Sequence, residues 1–412
     1  MSIYLKMAWR NIWRNLRRSI LTISAIGFAV ILLIFMLSFQ FGTYETMINS
    51  AVKIHTGYFQ IQAKDYQDKR ELRQVVSNPD KIGHILEQIP EIKAYTFRAA
   101  GFSLASSQER TYGIVVTGVD PEREANVSSL KTLIKKGEYL KPGDKDQALI
   151  GALLAKNLGV SIGDSVTLLG QGLDGSIAAA VVTIKGIFKS GQDIFDRNAL
   201  HIPLSYFQDV WYMGKAVNEI VVVTCSLKTV SETISRVSEK IKGAGTKEDL
   251  VILDWKALMP GLVQGIYMDL TGGLIFYLLL LIVVAFSILN TFLMAIFERT
   301  HEFGVLMAMG TTTNRLTGLL LTESIIITSI GIISGIIFGS LITLWFQKYG
   351  IDFGKASEML AQYGIPSRMY PRLNIFSLSI GPALVSFITF WTALYPALKV
   401  RKMRPVEALT AL

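Results

Sequence analysis

The stretch from Glu298 to Arg315, ERTHEFGVLMAMGTTTNR, decides how this chain is read. Long apolar segments flank it on both sides. Within it, Phe303, Leu306 and Met307 fall on one helical face with Met309 nearby, and Glu298, Arg299, His301 and Glu302 cluster ahead of them. Gly310 followed by Thr311, Thr312 and Thr313 reads as the stop of one helix and the start of the next. The pattern predicts a short amphipathic helix lying at a membrane surface, where it can touch a soluble partner. A simple connecting turn would carry the same pattern.

Working outward, half of the 412 residues are hydrophobic (50%) and mean hydropathy is +0.40, because the apolar residues are gathered into four segments. Residues 20–42 carry no charge and are long enough to cross about 30 Å of hydrocarbon. Residues 270–297, 316–346 and 374–396 form the other three spans, and 298–315 is the surface loop between the second and third. Residues 1–19 predict an amphipathic helix, with Leu5, Trp9, Ile12 and Leu16 at helical spacing and Lys6, Arg10, Arg14 and Arg17 beside them. The basic clusters before the first span and at Lys399, Arg401, Lys402 and Arg404 predict that both termini are cytoplasmic. Lys348, Lys355, Arg368 and Arg372, in the outer loop 347–373, weigh against this and are outnumbered. Residues 397–412 are then a cytoplasmic tail. The first span lacks a small-residue cleavage site, so it is expected to remain as an anchor.

Residues 43–269 change character. Alternating segments predict strands at 57–63, 112–119, 165–169, 181–188 and 219–224, and helices at 80–88, 151–158, 204–212 and 230–242. The expected fold is thus four transmembrane helices with an extracytoplasmic (periplasmic) α/β domain inserted between helices 1 and 2.

Several functions are disfavoured. The net charge of +9 comes from basic residues beside the spans, which suits anionic lipid headgroups and gives no nucleic-acid signal. One cysteine, Cys225, excludes an internal disulfide and a cysteine metal site, and His55, His84, His201 and His301 show no ligand spacing. No G-x-x-x-x-G-K-[ST] loop occurs. Gly159-Val160-Ser161-Ile162-Gly163 matches G-x-S-x-G, but a helix precedes it and a strand follows, the reverse of a hydrolase elbow. The chain is therefore expected to be non-catalytic, with no metal or cofactor of its own.

Within the third span, Gly331, Gly335 and Gly339 form a small-residue ridge, suited either to a dimer or gating interface or to packing within the chain. Glu323 is a costly intramembrane acid for which Asn290 is a candidate hydrogen-bond partner. Phe35, Phe39 and Phe41, with Tyr267 and Met268 facing them, are candidates for a substrate or dimer surface; plain interfacial anchoring is the alternative and the favoured reading.

The whole resembles the FtsX-like, or MacB-type, permeases of ABC transporters. The resemblance rests on Glu298-Arg299, Glu302-Phe303-Gly304 and Ala308-Met309-Gly310, similar to E-R-x-x-E-[IF]-G-x-x-[RK]-A-[LM]-G, with Met307 where the family often has a basic residue. It extends to Tyr395-Pro396-Ala397, Arg404-Pro405-Val406-Glu407-Ala408-Leu409, Ile150-Gly151, Leu158-Gly159-Val160, Ile162-Gly163-Asp164, Lys185-Gly186-Ile187-Phe188 and Asp196. It implies a dimer of permease chains, identical or related, on a cytosolic ATPase dimer that holds the ATP and Mg. Glu298, Arg299, Glu302, Phe303, Gly304, Leu306, Ala308 and Gly310 would form the ATPase-coupling helix, and its motion would reach the outer domain without substrate crossing a channel. The chain is most similar to the lipoprotein-releasing (LolC/LolE-like) branch, which implies a bacterial inner membrane, a lipoprotein or lipid cargo and a periplasmic acceptor. A motor-free receptor or scaffold, an FtsX-like permease for efflux or hydrolase activation, and an ion-coupled transporter are the alternatives.

Overall fold

A computed structural model describes residues 3–108, 110–243, 248–354 and 368–401. The Arg404–Leu409 motif, Lys402 and Lys355 lie outside these residues. The chain forms two bodies: a helical one from Met1–Thr46, Ile266–Asp352 and Arg368–Leu412, and an α/β one built mainly from Met47–Gly265.

In the helical body an N-terminal helix, Ile3–Arg14, precedes four helices long and apolar enough to cross a membrane. Span 1 is Leu16–Ala51, span 2 Pro260–Glu298, span 3 Thr313–Tyr349 and span 4 Ile375–Arg401. An inter-span helix, Thr300–Ala308, joins spans 2 and 3. Spans 1 and 2 run well past the apolar limits read from the sequence, to Ala51 and from Pro260. Hydropathy marks the thickness of hydrocarbon, whereas a helix continues as long as its backbone bonds can be made.

Span 1 is the centre of the bundle. Its Ile26, Val30, Leu33 and Ile34 meet Leu281 and Ile288 of span 2, Ile327 of span 3 and Val385 of span 4. The glycine ridge of span 3 serves this packing. A methyl on Gly331 would lie 2.8 Å from Ile26 Cβ, one on Gly335 2.6 Å from Val30 Cβ, and one on Gly339 3.2 Å from Ile31 Cα. The ridge is thus filled within the chain by span 1, because only a missing Cβ lets two helix backbones approach this closely. Polar ties fix span 1 at the end away from the inter-span helix. Ser38 meets Ser377 at 2.9 Å, Glu45 pairs with Arg372, and Tyr44 donates to Asp269 at 2.5 Å.

Among the described residues, the α/β body holds ten strands in one sheet: β1 Phe59–Ala63, β2 Ile92–Ser106, β3 Thr111–Val119, β4 Ile134–Gly137, β5 Gln147–Gly151, β6 Ser165–Gln171, β7 Ile177–Phe188, β8 Ala199–Pro203, β9 Glu219–Thr224 and β10 Leu250–Asp254. Their order is β10-β1-β9-β2-β3-β8-β5-β7-β4, with β6 bridging β2 and β7. All pairs are antiparallel except β3–β8 and β5–β7. The 15-residue β2 organises the sheet, pairing with β9 through its first half and with β3 and β6 through its second. Two cores result. One lies over β1, β9 and the start of β2, closed by helices Pro79–Glu87 and Val230–Gly243. The other joins β2, β3 and β5–β8 to helices Ala152–Leu158 and Leu204–Val210, with Phe207 and Trp211 stacked at 4.3 Å.

Arg98 and Glu124 form a fully buried pair in this body, at 2.6 and 3.0 Å, and Arg98 also donates to the His55 carbonyl at 2.5 Å. Burial alone would raise the Glu124 carboxyl; the charge and hydrogen bonds of Arg98 outweigh it and hold the carboxyl below its ordinary range. The Gly159–Gly163 match is a turn. Gly159 caps the helix Ala152–Leu158 in the left-handed region, and the Asp164 carboxylate accepts from the Ser161 amide at 2.7 Å.

Candidate functional site

The inter-span helix is seated by an apolar foot on one side and a cluster of charges on the other. Phe303 and Met307 are buried against Ile296, Leu316 and Val400, with Leu306 and Leu320 packed at the edge. Gly304 is buried beside them. The face expected to be apolar therefore points into the bundle. His301, Val305, Ala308 and Met309 are left exposed, Met309 to 71%, and they recur at helical spacing.

The charges are joined more closely than their scatter in sequence suggests. Arg299, at the start of the inter-span helix, donates to the Glu323 carboxylate of span 3 at 3.1 Å and to Glu302 at 3.3 Å, and its guanidinium lies 5.4 Å from the Phe303 ring centre. Arg18, at the start of span 1, pairs with Glu323 at 3.6 Å and with Glu298 at 3.3 Å. Arg14, at the end of the N-terminal helix, donates to both oxygens of Glu302 at 2.7 and 2.6 Å. Three arginines thus meet three glutamates. The Glu323 and Arg299 side chains are only 6% and 9% exposed. Removing one partner of such a buried pair typically costs about 3–5 kcal/mol, because the other charge is left without compensation. The Arg14–Glu302 pair, half open to solvent, is worth about 0–1 kcal/mol. The hydrogen bond from Arg14, ahead of a smaller opposing effect of burial, holds the Glu302 carboxyl below its usual range.

Local sequence explains the seating. Arg299 takes φ −107° between the end of span 2 and Thr300, which breaks the helix once and turns the next nine residues away. Gly310 at φ +92° closes the far end, and Thr312 is extended before span 3 begins. The N-terminal helix is held alongside by buried Ala8 and Ile12, while Trp9 and Trp13, 5.7 Å apart edge to face, remain exposed with Leu5 and Leu16.

The residues read from the sequence sort into three groups. Arg299, Phe303 and Gly304 are interior, Leu306 is half-buried, and Glu298, Glu302, Ala308 and Gly310 are exposed to differing degrees. Glu323 does not take Asn290 as its partner. Asn290 is exposed on span 2, and the carboxylate meets two arginines instead, since a charged acceptor in a dry site draws cations before an amide. Arg14 and Arg18, read as a basic flank, belong to this cluster. The signal available was that a buried acid needs a cation, and the run before span 1 supplies several. The aromatic candidates do not form one surface. Phe35 meets Phe346 at 5.5 Å and Phe41 meets Phe376 at 5.6 Å, so these rings pack on spans 3 and 4. Tyr267 and Met268 are exposed on span 2.

Two apolar grooves flank span 2. One of about 850 Å³ runs between spans 2 and 4 over Leu33 and Leu37, and one of about 490 Å³ lies between spans 1 and 2 around Phe28 and Leu32. Span 2 is accordingly the least buried of the four, at 11% of its apolar window against 44% for span 1.

The chain is similar to several known proteins. Residues 19–241 match the MacB-like periplasmic core domain model, and residues 274–405 match the FtsX-like permease C-terminal model. The lipoprotein-releasing system transmembrane protein LolC of Xylella fastidiosa (strain Temecula1) is 23% identical over 317 residues, covering 73% of this chain and 74% of that one. The macrolide export ATP-binding/permease protein MacB of Nitrobacter winogradskyi is 25% identical over 279 residues, which is 63% of this chain and 38% of that one. Among solved structures, the extracellular domain of the ABC-type transporter YknZ from Gram-positive bacteria aligns over 48% of this chain and 99% of its own length, at 16% identity and a TM-score of 0.36. Four membrane helices, an inserted α/β domain and both family matches make this chain a member of the MacB-type, FtsX-like permeases of ABC transporters.

Proposed function

We propose that this permease transmits force from a separate cytosolic ATPase, bound at the inter-span helix, to its periplasmic α/β domain, and that the cargo is a lipoprotein or lipid taken from the inner membrane. The observation that carries the reading is the seating of the inter-span helix: a buried apolar and ionic face toward the bundle, and an opposite face of His301, Val305, Ala308 and Met309 left open. A rigidly seated helix with one free face can be pushed as a unit. In this reading both termini are cytoplasmic, ATP and Mg bind the partner, and two permease chains, identical or related, stand on an ATPase dimer. The LolC relative supports a lipoprotein as cargo, and in this reading a periplasmic acceptor would receive it.

The test is co-purification with candidate P-loop ATPases from the same organism, followed by ATP turnover in nanodiscs. The native chain retains the ATPase and changes its turnover. Val305→Glu with Met309→Glu loses both while remaining folded. Release of a fluorescent lipoprotein from proteoliposomes to a soluble acceptor then tests the cargo. An ATPase that neither binds nor responds to the chain ends the reading. The MacB relative favours a second cargo, an exported small molecule, and the same liposomes loaded with a macrolide distinguish the two.

A further inference from the structure

Within the Glu298–Glu302 segment Arg299 is turned inward, and a single buried acid receives it. Glu323 sits 5% exposed in span 3 and is within 4 Å of two arginines from different elements: Arg299 at 3.1 Å, which begins the inter-span helix, and Arg18 at 3.6 Å, which begins span 1. Arg299 reaches back to Glu302, and Glu302 is gripped by Arg14 of the N-terminal helix. Apart from Arg18, Arg299 and Glu323, the residues lining this site are uncharged, among them Thr22, Phe292, Ile296, Leu320, Ser324 and Ala397. Arg18 and Arg299 are each held by two acids and Glu323 and Glu302 each by two arginines, a linked chain of charges that fixes register more narrowly than an apolar contact could.

We infer that Glu323 is a positioning residue: it locks the inter-span helix to the start of span 1, so that displacement of that helix is delivered to span 1, the centre of the bundle, and not only to the adjoining spans 2 and 3. This builds on the coupling reading and changes it in one respect. The acidic and basic residues of the segment hold the frame together, while the uncharged side chains on the open face meet the partner.

The experiment uses the full chain in nanodiscs, with Cys225→Ser and spin labels at Arg10→Cys and Val305→Cys, both exposed. Distance distributions between the labels report the register of the N-terminal and inter-span helices without any ATPase present. The otherwise unaltered chain gives one narrow distance. Glu323→Gln broadens it at least two-fold, and Glu323→Asp restores most of the narrowness. The triple variant Arg18→Met, Arg299→Met, Glu323→Leu removes the buried charges of the set together and leaves the exposed Arg14–Glu302 pair and Glu298, so its thermal midpoint recovers toward that of the native chain while its distances stay broad. That separation is what a merely stabilising role would not produce. A native-width distribution in Glu323→Gln or in the triple variant overturns the inference. In a second arm, a single label at Phe28→Cys in span 1 shifts its spectrum when ATPase and nucleotide are added, and Glu323→Gln retains ATPase binding but loses that shift. An unchanged shift in Glu323→Gln overturns the inference. If the native chain itself binds no ATPase, the coupling reading fails, while the distance arm still decides the role of Glu323.

Discussion

At the scale of single residues, the close approaches make the sharpest predictions. Gly335 faces Val30 and the Gly27 carbonyl, so Gly335→Leu should prevent spans 1 and 3 from closing, and the yield of monodisperse protein in detergent should collapse. Gly318, with open space around its Cα, is the control: Gly318→Ala should leave yield unchanged. In the α/β domain, Arg98→Met strands the buried Glu124 carboxylate and should cost about 3–5 kcal/mol in urea unfolding followed by Trp211 fluorescence. Removing both charges in Arg98→Met/Glu124→Leu should recover much of that loss. His201 adds a pH dependence. Burial, with Arg98 nearby and Glu124 opposing, pushes its imidazole down to about 4. A histidine depressed below its unfolded value of about 6.5 gives stability that is complete above that pH and is lost as the pH falls toward 4. Between pH 7 and pH 5 the domain should lose about 2 kcal/mol on this account. His201→Phe should lower that stretch's slope, the remainder coming from the neighbouring His55, which burial also pushes down; an unchanged slope would assign the loss to other groups.

At the scale of elements, the inter-span helix shows how far pattern can go. The stop at Gly310 and the apolar positions Phe303 and Met307 were legible, because helix caps and periodicity are local properties. The direction in which the apolar face points was not, since the same stripe fits a groove on a partner or the bundle beneath. Five strands and four helices of the α/β domain stand where alternation and helical spacing put them. The longest strand, β2, was missed along with β4, β5, β8 and β10. Lys93, Arg98 and Gly101 interrupt the apolar pattern of β2, and they are tolerated because other elements supply what they need: Glu124 for Arg98, and the Phe207 and Trp211 rings over Gly101. The N-terminal helix makes a prediction of its own. Its exposed Trp9 and Trp13 should shift their emission to the blue on transfer from detergent to anionic liposomes, and Trp9→Ser/Trp13→Ser should remove that shift.

At the scale of the whole molecule, the lone Cys225 tests the topology. It is exposed in the α/β domain. A membrane-impermeant maleimide added to intact spheroplasts should label it, while His301→Cys in a Cys225→Ser background should react only after lysis. The opposite pattern would put the inter-span helix on the outer side and remove its access to any cytosolic ATPase.

Composition and order along the chain were enough to establish the four spans, the inserted α/β domain and the short helix between spans 2 and 3, because a bilayer imposes length and hydropathy on each span separately and a family motif is read letter by letter. Which charges meet, which face of a helix is free and what a glycine ridge receives were decided only in three dimensions. Arg18 and Glu323 lie hundreds of positions apart, and the cost of burying either alone is a property of the site they share.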